Sequence, residues 1–127
     1  MSRSAYERGT HAISINVTAS EDAGGVPNLT YPYVGTEFGL PPYVGGQLPQ
    51  RIGWHVLLGT PGSIVSLELR IEGSLDGTNW FTLDTYTTAA NTQRFITDKK
   101  VLYVRAKIHA LDLTSGTSTT ILIALAA

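Results

Sequence analysis

The sequence predicts an all-β protein, an antiparallel β-sandwich or jelly-roll-like fold of about seven strands. Two observations lead there. Apolar and polar residues alternate with a period of two in one segment after another, which places successive side chains on opposite faces of a strand. Turn signals separate those segments at intervals of roughly ten residues, and no stretch repeats its apolar residues at helical spacing.

In chain order, residues 1–10 are polar and aperiodic and read as an N-terminal arm. From His11 to Ala19, Ile13, Ile15 and Val17 alternate with Ser14, Asn16 and Thr18, giving a first strand. Residues 20–50 break the pattern. They hold five of the six prolines (Pro27, Pro32, Pro41, Pro42 and Pro49) and read as a long loop, of a length that compact domains use to bind something or lie on a neighbour. Inside it Pro32-Tyr33-Val34-Gly35 is echoed by Pro42-Tyr43-Val44-Gly45. Tyr31, Tyr33, Phe38 and Tyr43 lie in a segment with no core of its own, so their burial is expected beneath the loop or against another subunit.

After Arg51, the residues Ile52, Trp54, Val56 and Leu58 mark one face of a second strand, which Pro61-Gly62 closes as a type II turn. Val65, Leu67, Leu69 and Ile71 then face the core, while Ser66, Glu68, Arg70 and Glu72 face water or a partner. Asp76-Gly77-Thr78-Asn79 turns the chain, with Gly77 supplying a positive φ, into a return strand from Trp80 to Tyr86. A shorter strand covers Thr92 to Thr97 and Asp98-Lys99-Lys100 turn. Val101 to Leu111 then puts Leu102, Val104, Ala106 and Ile108 inward and Tyr103, Arg105, Lys107 and His109 outward. Thr114-Ser115-Gly116 leads to a last strand, Thr117 to Ala126, with Ile121, Ile123 and Leu125 on one face. The expected organisation is the arm 1–10 and one sandwich domain, 11–127, carrying the loop 20–50.

Composition narrows the function. At 127 residues, 43% hydrophobic and 15% charged, the chain has enough apolar content for one core, and a disordered chain is excluded. A formal charge of −1 provides no field that would gather phosphates, so nucleic acid is not an expected partner. The absence of cysteine excludes disulfides, a thiolate nucleophile and a thiolate zinc site. The first ten residues have no apolar core of a signal peptide and the final Ile121–Ala127 run is too short to span a bilayer, so no membrane partner is expected.

No catalytic set emerges. His11, His55 and His109 stand on separate strands without metal-ligand spacing. Glu68 and Glu72 share a face at about 13 Å, beyond the separations glycosidases use. Asp76, Asn79 and Asp84 surround a turn where they either hold calcium or bond the turn backbone, the second being the preferred reading. Trp80 and Tyr86 fall on the strand face opposite Phe81 and Leu83, where they either stack a sugar ring or, in the preferred reading, join a core or subunit contact. No enzyme, cofactor or metal is therefore expected.

The segment Ile71-Glu-Gly-Ser-Leu-Asp-Gly-Thr-Asn-Trp-Phe-Thr-Leu83, with Tyr103-Val-Arg-Ala-Lys107 and a threonine-rich final hairpin, resembles small β-sandwich structural proteins of tailed bacteriophages. With its polar arm and long Pro/Gly loop, the chain is most similar among these to capsid decoration, or cement, proteins. The resemblance implies a non-enzymatic virion protein made in the host cytoplasm and carried on the capsid surface. It would form a homotrimer over joints between subunits of the major capsid protein and stabilise the shell. On that reading the contact residues are Arg3, Tyr6 and Arg8 of the arm and Tyr31, Tyr33, Val34, Phe38, Tyr43 and Val44 of the loop. The alternative is a tail- or fibre-associated module that binds carbohydrate through Trp80, Tyr86 or Trp54.

Overall fold

Two antiparallel sheets face one another across a single apolar layer in the computed structural model, which describes residues 10–19, 31–39, 51–97 and 101–126. Nine strands follow in order: β1 (Thr10–Thr18), β2 (Tyr33–Val34), β3 (Phe38–Gly39), β4 (Arg51–Leu58), β5 (Ile64–Ser74), β6 (Phe81–Tyr86), β7 (Thr92–Thr97), β8 (Tyr103–Leu113) and β9 (Ser118–Ala126). The first sheet runs β1-β9-β4-β7 and the second β2-β8-β5-β6, with β3 also pairing on β8. The described residues include no α-helix. The expected all-β sandwich is present, and its seven long strands are those the alternation marks.

Period-two sequences build this core directly. The first sheet contributes Ile13, Val17, Ile52, Trp54, Val56, Leu58, Ile96, Ile121, Ile123 and Leu125, and the second Leu67, Leu69, Ile71, Val104, Ala106, Ile108, Leu111 and Leu113. The β5–β8 pair forms the centre of the second sheet, with Leu69 opposite Ile108 and Ile71 opposite Ala106. Aliphatic side chains thus meet directly across the ladder, where cross-strand packing is strongest.

Bulges shift the alternation where local sequence cannot show it. A register shift between Ile64 and Ser66 turns Val65 outward, 63% exposed, and sets Ile64 against the core instead. Leu102, expected inside, is exposed because β8 begins only at Tyr103; Val101 takes the interior place and the Leu102 N–H donates to the Ser74 carbonyl. Across Ile71 and Glu72, β6 inserts Leu83 as an extra residue. Tyr86 therefore pairs inward with Leu69 and does not share an exposed face with Trp80. Glu72, expected to face water or a partner, is buried beneath Arg105 and Lys107 of its own chain.

Two turns also part from expectation. Pro61-Gly62 opens a single 3-10 turn, Pro61–Ser63, rather than a type II turn. The turn is pinned from both sides: Ser63 N–H donates to the Thr60 carbonyl and the Ser63 carbonyl accepts from Thr114 N–H at 2.9 Å. The segment 31–39 adds two short strands to the free edge of β8, so Tyr31, Tyr33 and Phe38 pack on the core of their own chain. Between those strands Gly35 N–H donates to Ala106 and Thr36 N–H to Ala12, joining the two sheets. A Cβ on Gly35 would strike the Ala12 carbonyl, so the crossing requires glycine. The Asp98-Lys99-Lys100 turn, residues 1–9, 20–30 and 40–50, and with them Arg3, Tyr6, Arg8, Tyr43 and Val44, lie outside the described residues.

Leu69→Ala is expected to lower unfolding free energy by about 2–5 kcal/mol, while Val65→Ala stays within about 0.5 kcal/mol. Urea denaturation of the two variants checks this, and equal losses would place Val65 in the core after all.

Candidate interaction surface

One side of the sandwich is sealed by charge. β6 and β7 are edge strands of opposite sheets, and each turns one ionised residue inward, Asp84 opposite Ile71 and Arg94 opposite Trp54. They meet across the gap: Arg94 Nε donates to Asp84 Oδ2 at 2.8 Å and Arg94 Nη2 to Oδ1 at 2.9 Å. Trp54 Nε1 donates to Oδ2 at 2.9 Å and Thr85 N–H to Oδ1 at 2.9 Å. Four donors fill the lone-pair capacity of one carboxylate. Burial raises the Asp84 pKa, but the Arg94 and Trp54 hydrogen bonds and the Arg94 charge outweigh it and hold the carboxyl below its ordinary range. The Trp54 and Tyr86 rings meet edge to face at 6.4 Å, with Arg94 5.5 Å above the Tyr86 ring. Tyr86 Oη donates to the Ala90 carbonyl at 2.7 Å and fastens the β6–β7 connection.

The outer face of the second sheet is a ladder of paired charges. Glu72 accepts from Arg105 Nε at 2.8 Å and Lys107 Nζ at 3.4 Å, with 7% of its side chain exposed. Arg70 Nε donates to Glu68 at 2.6 Å, and Arg105 reaches Glu37 at 3.4 Å while stacking 4.2 Å over Trp80. Within these contacts three carboxylates (Glu37, Glu68, Glu72) meet three cations (Arg70, Arg105, Lys107), so the paired charges balance one another. At the β5–β6 turn, Asp76 Oδ1 accepts from the N–H groups of Asn79 and Thr78 and Oδ2 from Asn79 Nδ2. Those bonds, the Asn79 N–H first, push its carboxyl far below the usual range. Asp76 thus bonds turn backbone, as the preferred reading has it, while Asp84 lies in the inter-sheet clasp. No group of three or more His, Asp or Glu among the described residues can hold a metal ion.

Apolar exposure gathers at one end of the second sheet. Ser74 pairs with Tyr103 and Gly73 with Phe81, and Leu102 bonds back to Ser74. This brings Leu75, Phe81, Leu102 and Tyr103 to one end, each exposed, Phe81 at 70%. Gly39 also pairs with Tyr103 there. Of the contact residues the sequence suggests, Val34 is exposed, whereas Tyr31, Tyr33 and Phe38 are half-buried on the core. Burial also raises the Tyr31 hydroxyl pKa. The rings suggested for sugar stacking are occupied internally: Trp54 and Tyr86 are buried and Arg105 covers a face of Trp80. Sequence reading missed this exposed end because its residues come from turn and strand-end positions. The clasp did leave a signal, since Asp84 shares the inward phase of Tyr86 and Arg94 that of Ile96. No family model, curated protein or solved structure matches the chain.

Asp84→Asn is expected to cost about 1–3 kcal/mol at neutral pH by leaving Arg94 without its counter-charge. A carboxyl lowered from 3.8 stabilises the fold fully above that value and loses its contribution as pH falls through the lowered native pKa. Urea titrations at a series of pH values should find the gap between wild type and variant constant near neutrality and closing in acid. A gap that widens toward acid would contradict this assignment.

Proposed function

We propose that this chain is a non-enzymatic structural protein of a tailed-bacteriophage virion, a capsid decoration protein that binds as a homo-oligomer over joints between major capsid subunits and stabilises the shell. The trimer is the form the resemblance implies. The observation that carries this reading is the exposed apolar end formed by Leu75, Phe81, Leu102 and Tyr103 on a scaffold whose neighbouring charges are matched internally. Large apolar side chains left exposed at one end of a sheet offer contact area to another protein. Beside them Arg105 and Lys107 of β8 pair with Glu72 of β5 and brace the centre of the second sheet. Reinforcement of a shell needs contact area and durability, which a multivalent assembly gains by linking weak contacts.

Removing two large exposed side chains subtracts about 1.5–3 kcal/mol each from a contact that buries them. The Leu75→Ser/Phe81→Ser double variant is therefore expected to fold normally and to lose at least about tenfold in binding to undecorated tailed-phage shells, measured by co-sedimentation. Failure of the wild-type protein to sediment with shells, or its location on the tail in imaged virions, would overturn the reading.

A further inference from the structure

Glycine follows Asp or Asn at a single place in this chain, Asp76-Gly77. An Asp-Gly peptide lets a main-chain nitrogen reach the preceding side chain readily, because glycine has no Cβ to hinder the approach. The Gly77 nitrogen would attack the Asp76 carboxyl carbon, the carboxyl hydroxyl would leave as water with the nitrogen's proton, and a five-membered imide would form. Hydrolysis takes one water back and opens the ring on either side. The product is aspartate again or isoaspartate, in which the main chain runs through the side-chain carbon. The sum is an isomerisation without change of mass, and water is the only other reactant. The first step needs a free nitrogen and a protonated carboxyl, since a carboxylate offers no leaving group.

The β5–β6 turn denies both. Ser74, 1% exposed, spends its whole hydrogen-bonding capacity there. Its Oγ accepts from Gly77 N–H at 2.9 Å and from Asp76 N–H at 3.2 Å, and its hydroxyl donates to Asp76 Oδ1 at 3.0 Å. The attacking nitrogen is therefore tied to a serine oxygen. The carboxylate is held as an anion by the N–H groups of Thr78 and Asn79 at 2.8 Å each and by Asn79 Nδ2 at 2.7 Å. Tyr103 packs over the same peptide, since a Cβ on Gly77 would lie 3.6 Å from its ring. We propose that Asp76-Gly77 is a self-modification site, converting to isoaspartate when the turn opens, and that Ser74 is the latch that keeps it shut in the folded chain. Conversion lengthens the main chain by one carbon and removes the Asp76 carboxylate from its place in the turn that joins Leu75 to Phe81. Chemical ageing at this site thus acts on the exposed apolar end. Neither the latch nor the chemistry depends on a capsid.

The purified full-length protein is incubated at about pH 5, where an ordinary aspartate retains some protonated carboxyl, both native and unfolded in guanidinium chloride. Isoaspartate at 76 is read in the tryptic peptide 71–94, as an isomer of equal mass that an aspartate-specific protease no longer cleaves before residue 76. With the nitrogen tied and the carboxyl held far below its ordinary range, the native chain should isomerise at least about tenfold more slowly than the unfolded one. Ser74→Ala, shown to be folded by circular dichroism, should lose most of that protection. Ser74→Cys, kept reduced, preserves the shape of the side chain with a weaker acceptor and should lose part of it, which tests the latch where Ser74→Ala does not fold. Equal rates for native and unfolded wild type would overturn the proposal. So would a folded Ser74→Ala or Ser74→Cys that isomerises no faster than native wild type.

Discussion

The architecture of the sandwich depends on the inward pair Asp84 and Arg94. Two sheets packed through apolar side chains leave their edges open, and a gap at an edge admits either water or another strand. Here two edge strands each direct one ionised group into that gap, and the Trp54 indole supplies a further donor from the adjacent strand. Removing a charge from water is unfavourable unless every hydrogen-bonding position is filled. The carboxylate of Asp84 meets that condition with donors from β4, β6 and β7. Charge therefore fixes how β6 lies against β7, and it deters a foreign strand that would have to displace it.

On the opposite side, among the described residues, the sheets are joined through backbone hydrogen bonds. Gly35 and Thr36 cross between the sheets with one hydrogen bond to each, at the Ala12 end of β1. The outer faces differ as well. The second sheet carries its charges in pairs, Arg105 and Lys107 of β8 on Glu72 of β5 and Arg70 on Glu68 within β5, whereas β1 presents only uncharged residues over Ala12 to Ala19. These contrasts distinguish the surfaces: cation–carboxylate pairs brace the second sheet, the Asp84 side is closed by charge, and the end around Phe81 exposes apolar side chains.

Long strands were readable because each repeats its period often enough to separate one face from the other, as in Ile52, Trp54, Val56 and Leu58. The phase within a strand was less accessible. Val65 and Leu102 follow the local alternation and yet lie outside, because a bulge and a strand start are decided by the partner's register. Two-residue strands have no period at all, so Tyr33 and Phe38 gave no sign that β8 would take them into the core. Asp84 and Arg94 were legible in principle as opposite charges at inward positions of successive strands, but the pair becomes meaningful only once both strands are known to be edges.

The Asp84–Arg94 clasp is the claim on which this account of the sandwich rests. Hydrogen-exchange mass spectrometry of the purified wild type and Asp84→Asn tests it most directly, because it reads the backbone of both clasped strands at once. The account predicts that Asp84→Asn lowers protection of peptides covering 81–86 and 92–97 while peptides covering 121–126 stay unchanged. Protection that is unaltered at β6 and β7, or that falls equally in every strand, would contradict it.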